Sequence, residues 1–315
     1  FMAAALSLAE RGVGRTGQNP SVGCIIVKDD RVIGRGWTQP GGRPHAEAMA
    51  LAQAGEAACG STIYVTLEPC AHMSQRGPAC AQLLTEAEPA RVVIALQDPD
   101  ARTACAGMEA LKAAGIKVTT DVMASQARQS LAGFKSRIDH GRPFVTLKIA
   151  SSLDGQIAMA DGSSRWITGE VARAHSHLER ARTDAILVGA GTVRADAPQL
   201  NVRLAGLGAC QPRRIMLGST DAPHGWEVIR RPQDIAELGC NSLLVEGGAA
   251  TATAFLRDGL VDRLMLYRAP ILLGAGKACL NDIGLTQLQD AHGRWQLSDA
   301  RSLGKDRLEV YEKAN

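Results

Sequence analysis

His45 and Glu47 stand two residues apart, and two cysteines follow, Cys70 directly after Pro69 and then Cys80. One imidazole and two thiolates make the N and S donor set that zinc selects. Three protein donors leave a fourth position for water, as a catalytic site requires. The pattern puts these donors near helix starts, where the helix dipole favours the thiolate form. Glu47 would then lie beside the metal without binding it, placed to move the proton of an attacking water. Taken singly, His45 reads as a polar helix-start residue and each cysteine as an inert thiol. Taken together and in this order, they read as a zinc hydrolase centre. The other six cysteines (Cys24, Cys59, Cys105, Cys210, Cys240 and Cys279) read as small core hydrophobes.

A second pattern lies far along the chain. Ser242–Val245 is an apolar strand that passes Glu246 and breaks into Gly247-Gly248 before a helix. Backbone amides at such a turn can approach a pyrophosphate closely, with the helix N-terminus favouring its charge. Most Gly-Gly turns are plain connectors, and this one lacks the Gly-x-Gly-x-x-Gly spacing. A standard dinucleotide Rossmann domain is therefore not indicated.

The elements that must position these residues alternate. Met2–Arg11 has helical periodicity, and Val22–Val27 with Arg31–Trp37 reads as a hairpin turning at Lys28-Asp29-Asp30. His45–Ala54 reads as a helix closed by Gly55, Thr62–Thr66 as a strand, Ala79–Glu88 as a helix and Arg91–Leu96 as a strand. Gly107–Ala114 and Ile116–Thr120 add a helix and a strand. The helical stretch Met123–Ser136 dissolves into Asp139-His140-Gly141-Arg142-Pro143, the best candidate for a domain boundary. Beyond it, Phe144–Ala150, Ala185–Val188, Arg214–Leu217 and Ser242–Val245 read as strands, Glu170–Ala181 and Thr251–Asp258 as helices, and the C-terminus as β-rich. The span from Ser219 to Cys240 holds one weak strand, Glu227–Arg230, where a doubly wound sheet wants a fuller strand–helix pair. Residues are expected to be missing there.

With 315 residues the chain is long enough for two domains. Its 35 basic and 32 acidic side chains are not gathered into runs, and Phe, Tyr and Trp make up only 3% of it, so a nucleic-acid-coating protein is disfavoured. No stretch approaches the ~18 apolar residues of a membrane span. Eight cysteines in so long a chain are too sparse for a disulfide scaffold. A soluble, cytoplasmic, two-domain α/β protein is expected, acting on a small molecule without nucleic acid or membrane.

Asn19-Pro20-Ser21-Val22-Gly23-Cys24, Pro44-His45-Ala46-Glu47 and Thr66-Leu67-Glu68-Pro69-Cys70-Ala71-His72 together resemble the deaminase half of the bifunctional riboflavin-biosynthesis deaminase/reductases. Leu147-Lys148, Ser152-Leu153-Asp154-Gly155, Trp166-Ile167-Thr168 and Leu244-Val245-Glu246-Gly247-Gly248 continue the resemblance through the second half. It implies a cytidine-deaminase-like domain (residues 1–121), a connecting helix and linker (122–143) and a dihydrofolate-reductase-like domain (144–315). The implied activities are zinc-dependent deamination of 2,5-diamino-6-ribosylamino-4(3H)-pyrimidinone 5′-phosphate, then NADPH reduction of its ribosyl to a ribityl chain. A nucleoside, nucleobase or tRNA deaminase with a C-terminal binding domain is the alternative, and the resemblance leaves room for a homo-oligomer. Three departures stand out. The Cys70–Cys80 segment is one residue longer than usual, Asp98-Pro99-Asp100 replaces Asp-Pro-Asn, and Cys105 occupies a position usually held by Gly.

By the same resemblance, Glu47 is catalytic, His45, Cys70 and Cys80 bind zinc, and Asn19 and Asp98 line the pyrimidine pocket. His72 and Arg76 either meet the substrate phosphate or face solvent. In the second half Lys148, Ser164, Arg180, Asp196, Leu200, Arg203 and Glu246 are implied for substrate. Ala150, Trp166, Thr168, Thr192, Asp196, Ser219 and the run Gly247, Gly248, Ala249, Ala250, Thr251 are implied for NADPH. No residue declares itself the reductase proton donor.

Overall fold

The computed structural model describes residues 1–72, 77–101, 103–219 and 222–314, and divides into two compact units, Phe1–Gly141 and Arg142–Asn315. In the first unit the elements run α1 (Met2–Ala9), β1 (Gly23–Lys28), β2 (Arg31–Trp37), α2 (Ala46–Ala54), β3 (Thr62–Val65), α3 (Cys80–Glu86), β4 (Arg91–Ile94), α4 (Ala106–Ala113), β5 (Lys117–Thr119), α5 (Ala124–Ser130) and α6 (Ala132–His140). The five strands lie in the order β2-β1-β3-β4-β5. β1 is antiparallel to both neighbours, and β3, β4 and β5 are parallel. β1 is buried almost end to end, and Ile25, Ile26, Ile63, Val92 and Leu111 form the centre of the core. α2 lies hard against the sheet because Gly36 has no Cβ: one built there would sit 2.0 Å from the Ala46 carbonyl oxygen. That close approach brings the His45 and Glu47 end of the helix against the strands.

Where the sequence reads as one helix over 123–136, the structure has two, broken at Leu131, whose ψ of 9° leaves the helical range. α6 continues through His140 into the expected linker, and Gly141 ends it at φ 66°, a left-handed stop that glycine adopts freely. The core of this unit includes Ala127 and Leu131, with Phe134 packed against it, so both helices belong to the first unit.

The second unit begins with β6 (Phe144–Ser151) and β7 (Gln156–Ala158), then α7 (Glu170–Ala181), β8 (Ala185–Gly189), α8 (Ala190–Asp196), β9 (Arg213–Leu217), β10 (Glu227–Ile229), β11 (Ser242–Val245), α9 (Ala249–Arg257), β12 (Arg263–Arg268), β13 (Lys277–Ala278), β14 (Trp295–Leu303) and β15 (Asp306–Lys313). Eight strands lie in the order β10-β9-β8-β11-β6-β12-β15-β14, and β7 pairs apart with β13. The strands from β10 to β12 are parallel, and the β14–β15 hairpin adds antiparallel to β12. β6 alternates strictly: Val145, Leu147 and Ile149 are buried in the core, which leaves Lys148 and Ala150 on the other face.

β9 and β10 are parallel neighbours joined through residues 218–226, with no helix between them among the described residues. Parallel strands usually need a crossover of a dozen residues or more. This is where the sequence looked short. Among the cysteines, Cys24, Cys210 and Cys240 are buried as expected, but Cys59 is exposed, and Cys105 and Cys279 are only half-buried.

Candidate active sites

In the first unit, His45 caps the start of α2, Cys80 opens α3, and Cys70 ends the segment leaving β3. His45 Nδ1 lies 3.2 Å from Cys80 Sγ and 3.6 Å from Cys70 Sγ, and the three donor atoms all lie within 4.8 Å of one another. Donors at zinc bond lengths around a tetrahedron sit about 3.6 Å apart, so the cluster is of the right size for the ion. The Cys80 backbone N–H donates to Cys70 Sγ at 3.4 Å. The hydrogen bond from the Cys80 thiol does most to hold Cys70 down, to about 4, in the thiolate range, while Cys80 is pushed up. Glu47 is 3% exposed, and burial pushes its carboxyl above the ordinary value.

His45, Glu47 and Cys70 open on a cleft of about 790 Å³ lined also by Asn19, Glu68, His72, Asp98, Asp100, Thr103 and Arg137. Asn19 and Asp98 thus share the cleft with His45 and Cys70. Asp98 is also committed within its own loop: Oδ1 accepts from Asp100 N at 3.0 Å, and Oδ2 accepts from Thr103 Oγ1 at 2.8 Å. His72 is exposed and lines the same cleft. Arg76 and its neighbours 73–75 in the longer loop between the cysteines lie outside the described residues. Sequence reasoning missed Arg137. Its NH2 donates to Gln18 O at 2.8 Å, a contact across more than a hundred residues that no local pattern signals.

The second unit has its own cleft, of about 480 Å³, at the carboxyl ends of the parallel strands. Lys148, Ala150, Ser164, Trp166, Thr168, Arg180, Thr192, Asp196, Arg203, Glu246, Gly247 and Gly248 all line it. The strand period brings Lys148 and Ala150 there together. Ser219, Ala249 and Ala250 are not among its lining residues. Leu200 is packed instead against Ile186, Val188 and Leu244. Thr251 is buried against Gly247 and Gly189.

The two glycines of the turn have different reasons to be there. A Cβ on Gly247 would lie 2.4 Å from Thr251 Cβ, so this glycine lets α9 pack. A Cβ on Gly248 would meet only Thr192 Oγ1, at 3.8 Å, and so would project into the cleft. Ser176 Oγ, on a side of α7 that lines the same cleft, is buried without a protein partner. An open cradle over a helix N-terminus, with an orphaned hydroxyl beside it, fits a dinucleotide phosphate and its sugar.

Glu246 is the charge centre of this cleft. Arg180 grips it at 2.7 and 2.8 Å and Lys148 lies 3.6 Å away. Arg203 is exposed, with its backbone N and its Nε each 3.4 Å from a ring nitrogen of His177. Burial, then Arg180 and Arg203, lower the His177 pKa and keep the ring neutral. A neutral imidazole offers one acceptor nitrogen, so only one of those contacts is a hydrogen bond at a time. His177 and Ser176 were missed in the sequence. The signal was there: Arg173, Ser176, His177 and Arg180 recur at the three-, four- and seven-residue spacings of one helix face.

Sheet order, metal donors and a separate open cleft define a two-part enzyme, with a cytidine-deaminase-type zinc centre in one unit and a reductase sheet in the other. Residues 1–96 match the cytidine and deoxycytidylate deaminase zinc-binding region, and 143–308 match the RibD C-terminal domain. The chain belongs to the riboflavin biosynthesis protein RibD family. It is 40% identical to the Haemophilus influenzae protein of that name, over 97% of this chain and 95% of that one. The Escherichia coli relative is 39% identical over 97% and 96%. The solved Acinetobacter baumannii RibD, form 1, superposes with a TM-score of 0.91 at 37% identity, covering 100% of this chain and 98% of that one. The match to the Haemophilus protein spans 355 positions although this chain has 315 residues, so that relative carries internal segments absent here.

Proposed function

We propose that the chain carries out two consecutive steps on one phosphorylated pyrimidine, the first unit, Phe1–Gly141, deaminating the ring and the second, Arg142–Asn315, reducing the sugar. A solved relative from Thermotoga maritima, 29% identical with a TM-score of 0.87, is titled diaminohydroxyphosphoribosylaminopyrimidine deaminase/5-amino-6-(5-phosphoribosylamino)uracil reductase. The observation that carries the reading is the His45–Cys70–Cys80 cluster with buried Glu47 beside it, in one chain with the Glu246 cleft.

When bound by His45, Cys70 and Cys80, zinc supplies a water acidified toward neutral pH. Glu47, raised above its ordinary pKa, takes a proton from the attacking water and returns it to the departing amine. Asn19 presents both a donor and an acceptor to the ring edge, and Asp98 lines the same cleft. In the second unit NADPH supplies the hydride when bound. Gly248 leaves room for its phosphates, and Arg203 and Lys148 face the phosphorylated sugar. The eight free cysteines suit a reducing, cytoplasmic setting. No helix among the described residues is long and apolar enough to cross a membrane.

The deciding experiment is metal analysis together with ammonia release from the diaminopyrimidine ribotide, followed by NADPH oxidation on the deaminated product. One zinc per chain and both activities are expected. Zinc and ammonia release with no NADPH oxidation would leave a deaminase whose second unit only binds.

A further inference from the structure

Glu68 lies two residues before Cys70, is 4% exposed, and does no part of the chemistry derived above. Its carboxylate accepts four backbone N–H groups. Oε2 takes those of Asp98 and Cys105, each at 3.1 Å, and Oε1 those of Gly107 at 3.1 Å and Met108 at 3.2 Å. A carboxylate has about four lone-pair sites, so its capacity is spent on the protein and none is left for substrate. Its own backbone N–H donates to Leu96 O at 2.8 Å, pinning the segment to the end of β4.

One of the residues it gathers, Asp98, lines the deaminase cleft. Asp98, Asp100 and Thr103 line that cleft and are knitted to one another through the Asp98 carboxylate and the Asp100 carbonyl, which accepts from Thr103 N at 2.9 Å. Asp98, Asp100 and Thr103 are thus tied to one another, and Glu68 ties the flanking Asp98 and Cys105 to the segment that carries a metal donor. Cys70 is held separately: its carbonyl accepts from Ala81 N at 3.0 Å, and its sulfur from Cys80 N. Loosening Glu68 should move the cleft wall and leave the metal donors in place.

We infer that Glu68 is a positioning residue for the deamination, fixing the Asp98–Thr103 wall at the distance from the metal donors that the pyrimidine ring requires. This rests on the assignment of that cleft to aminopyrimidine deamination. Glu68→Gln keeps the shape and replaces one acceptor by an NH2 that faces two N–H donors.

In the full-length, zinc-loaded protein, Glu68→Gln should keep one zinc per chain. Its KM for the diaminopyrimidine ribotide should rise about tenfold or more, the loss of one charged hydrogen bond, with a smaller fall in kcat. Amide hydrogen exchange should quicken at Asp98, Cys105, Gly107 and Met108. An unchanged KM in the folded, zinc-loaded variant overturns the inference, as does zinc loss with unchanged exchange in the loop. Thr103→Val loosens the same wall from its cleft side without touching the buried carboxylate. It decides the matter if Glu68→Gln does not fold: a raised KM supports the inference and an unchanged KM overturns it. If the wild-type protein releases no ammonia from the ribotide, the assignment of the reaction fails, and hydrogen exchange still tells whether Glu68 holds the wall.

Discussion

Arg180 and Glu246 meet side by side, Nε to Oε1 at 2.7 Å and NH2 to Oε2 at 2.8 Å, with Arg180 NH1 also donating to Asn201 O at 3.2 Å. Both side chains are largely buried, 15% and 7% exposed. Burial by itself would raise the Glu246 carboxyl; Lys148 and the Arg180 pair outweigh it and bring it down to about 2. Most of Arg180's fork is thus spent inside the protein, and Arg203 is the better placed of the two arginines for a phosphate.

Arg180→Ala should therefore act first on stability. Removing one partner of a buried ion pair strands the other, at a cost of about 3–5 kcal/mol; the nearby Lys148 should hold the loss to the lower end. Thermal or urea unfolding of the second unit measures it. A variant as stable as wild type, with only its substrate KM raised, would place Arg180 on the substrate instead.

The same pair sets an acid limit. The folded pKa of Glu246 lies below its ordinary 4.5. The stability it contributes is therefore fully present above about that pH and lost as pH falls through about 2. Glu246→Gln should flatten the pH dependence of unfolding in that window; an unchanged acid limb would mean the carboxylate is not held ionised by its neighbours.

Glu47→Gln should keep its zinc and its fold yet lose about 10²–10⁴-fold in deamination, because only the proton carrier is gone. The variant should still oxidise NADPH when given the deaminated substrate. Deamination near the wild-type rate would remove Glu47 from the proton path.

At the glycine turn the two neighbours should part company. Gly248→Val should leave stability nearly unchanged and weaken NADPH binding, since the new side chain enters the cleft. Gly247→Val should destabilise the unit, since its Cβ would lie 2.4 Å from Thr251 Cβ. Arg203→Ala should raise the reductase KM for the phosphorylated substrate about tenfold and spare the cofactor. Titrating the three variants with NADPH, alongside their melting curves, checks the assignment.

Cys105 is held at φ 67°, a conformation that costs a side-chain-bearing residue about 1–2 kcal/mol. Its contribution to the Glu68 site is a backbone N–H, which any residue but proline supplies. Cys105→Gly should raise stability by about 1 kcal/mol with deamination unaffected. A lower melting temperature would show that the sulfur's contact with Gln97 Nε2, at 3.1 Å, matters more than the strain.

The gathering of His45, Cys70 and Cys80 was legible in the sequence because the donor types that suit a metal are chemically restricted and recur in a fixed order. Lys148 and Ala150 share a face by strand periodicity alone, and Gly247-Gly248 announces its turn through the absence of side chains. Other relationships could not be read because they join residues far apart in the chain. Glu68 is bonded to residues thirty to forty positions away, and Arg180 to a carboxylate sixty-six positions on. Whether Arg180 faces a phosphate or an internal carboxylate depends on which strand lies beside α7. The break at Leu131 was equally hidden, since helical periodicity runs through it unchanged. Local chemistry and period depend on neighbours along the chain, so the sequence by itself determined the donor set and the faces of strands and helices. Pairing partners, charge balance and the spacing of a cleft's walls depend on neighbours in space, and these only the tertiary structure decided.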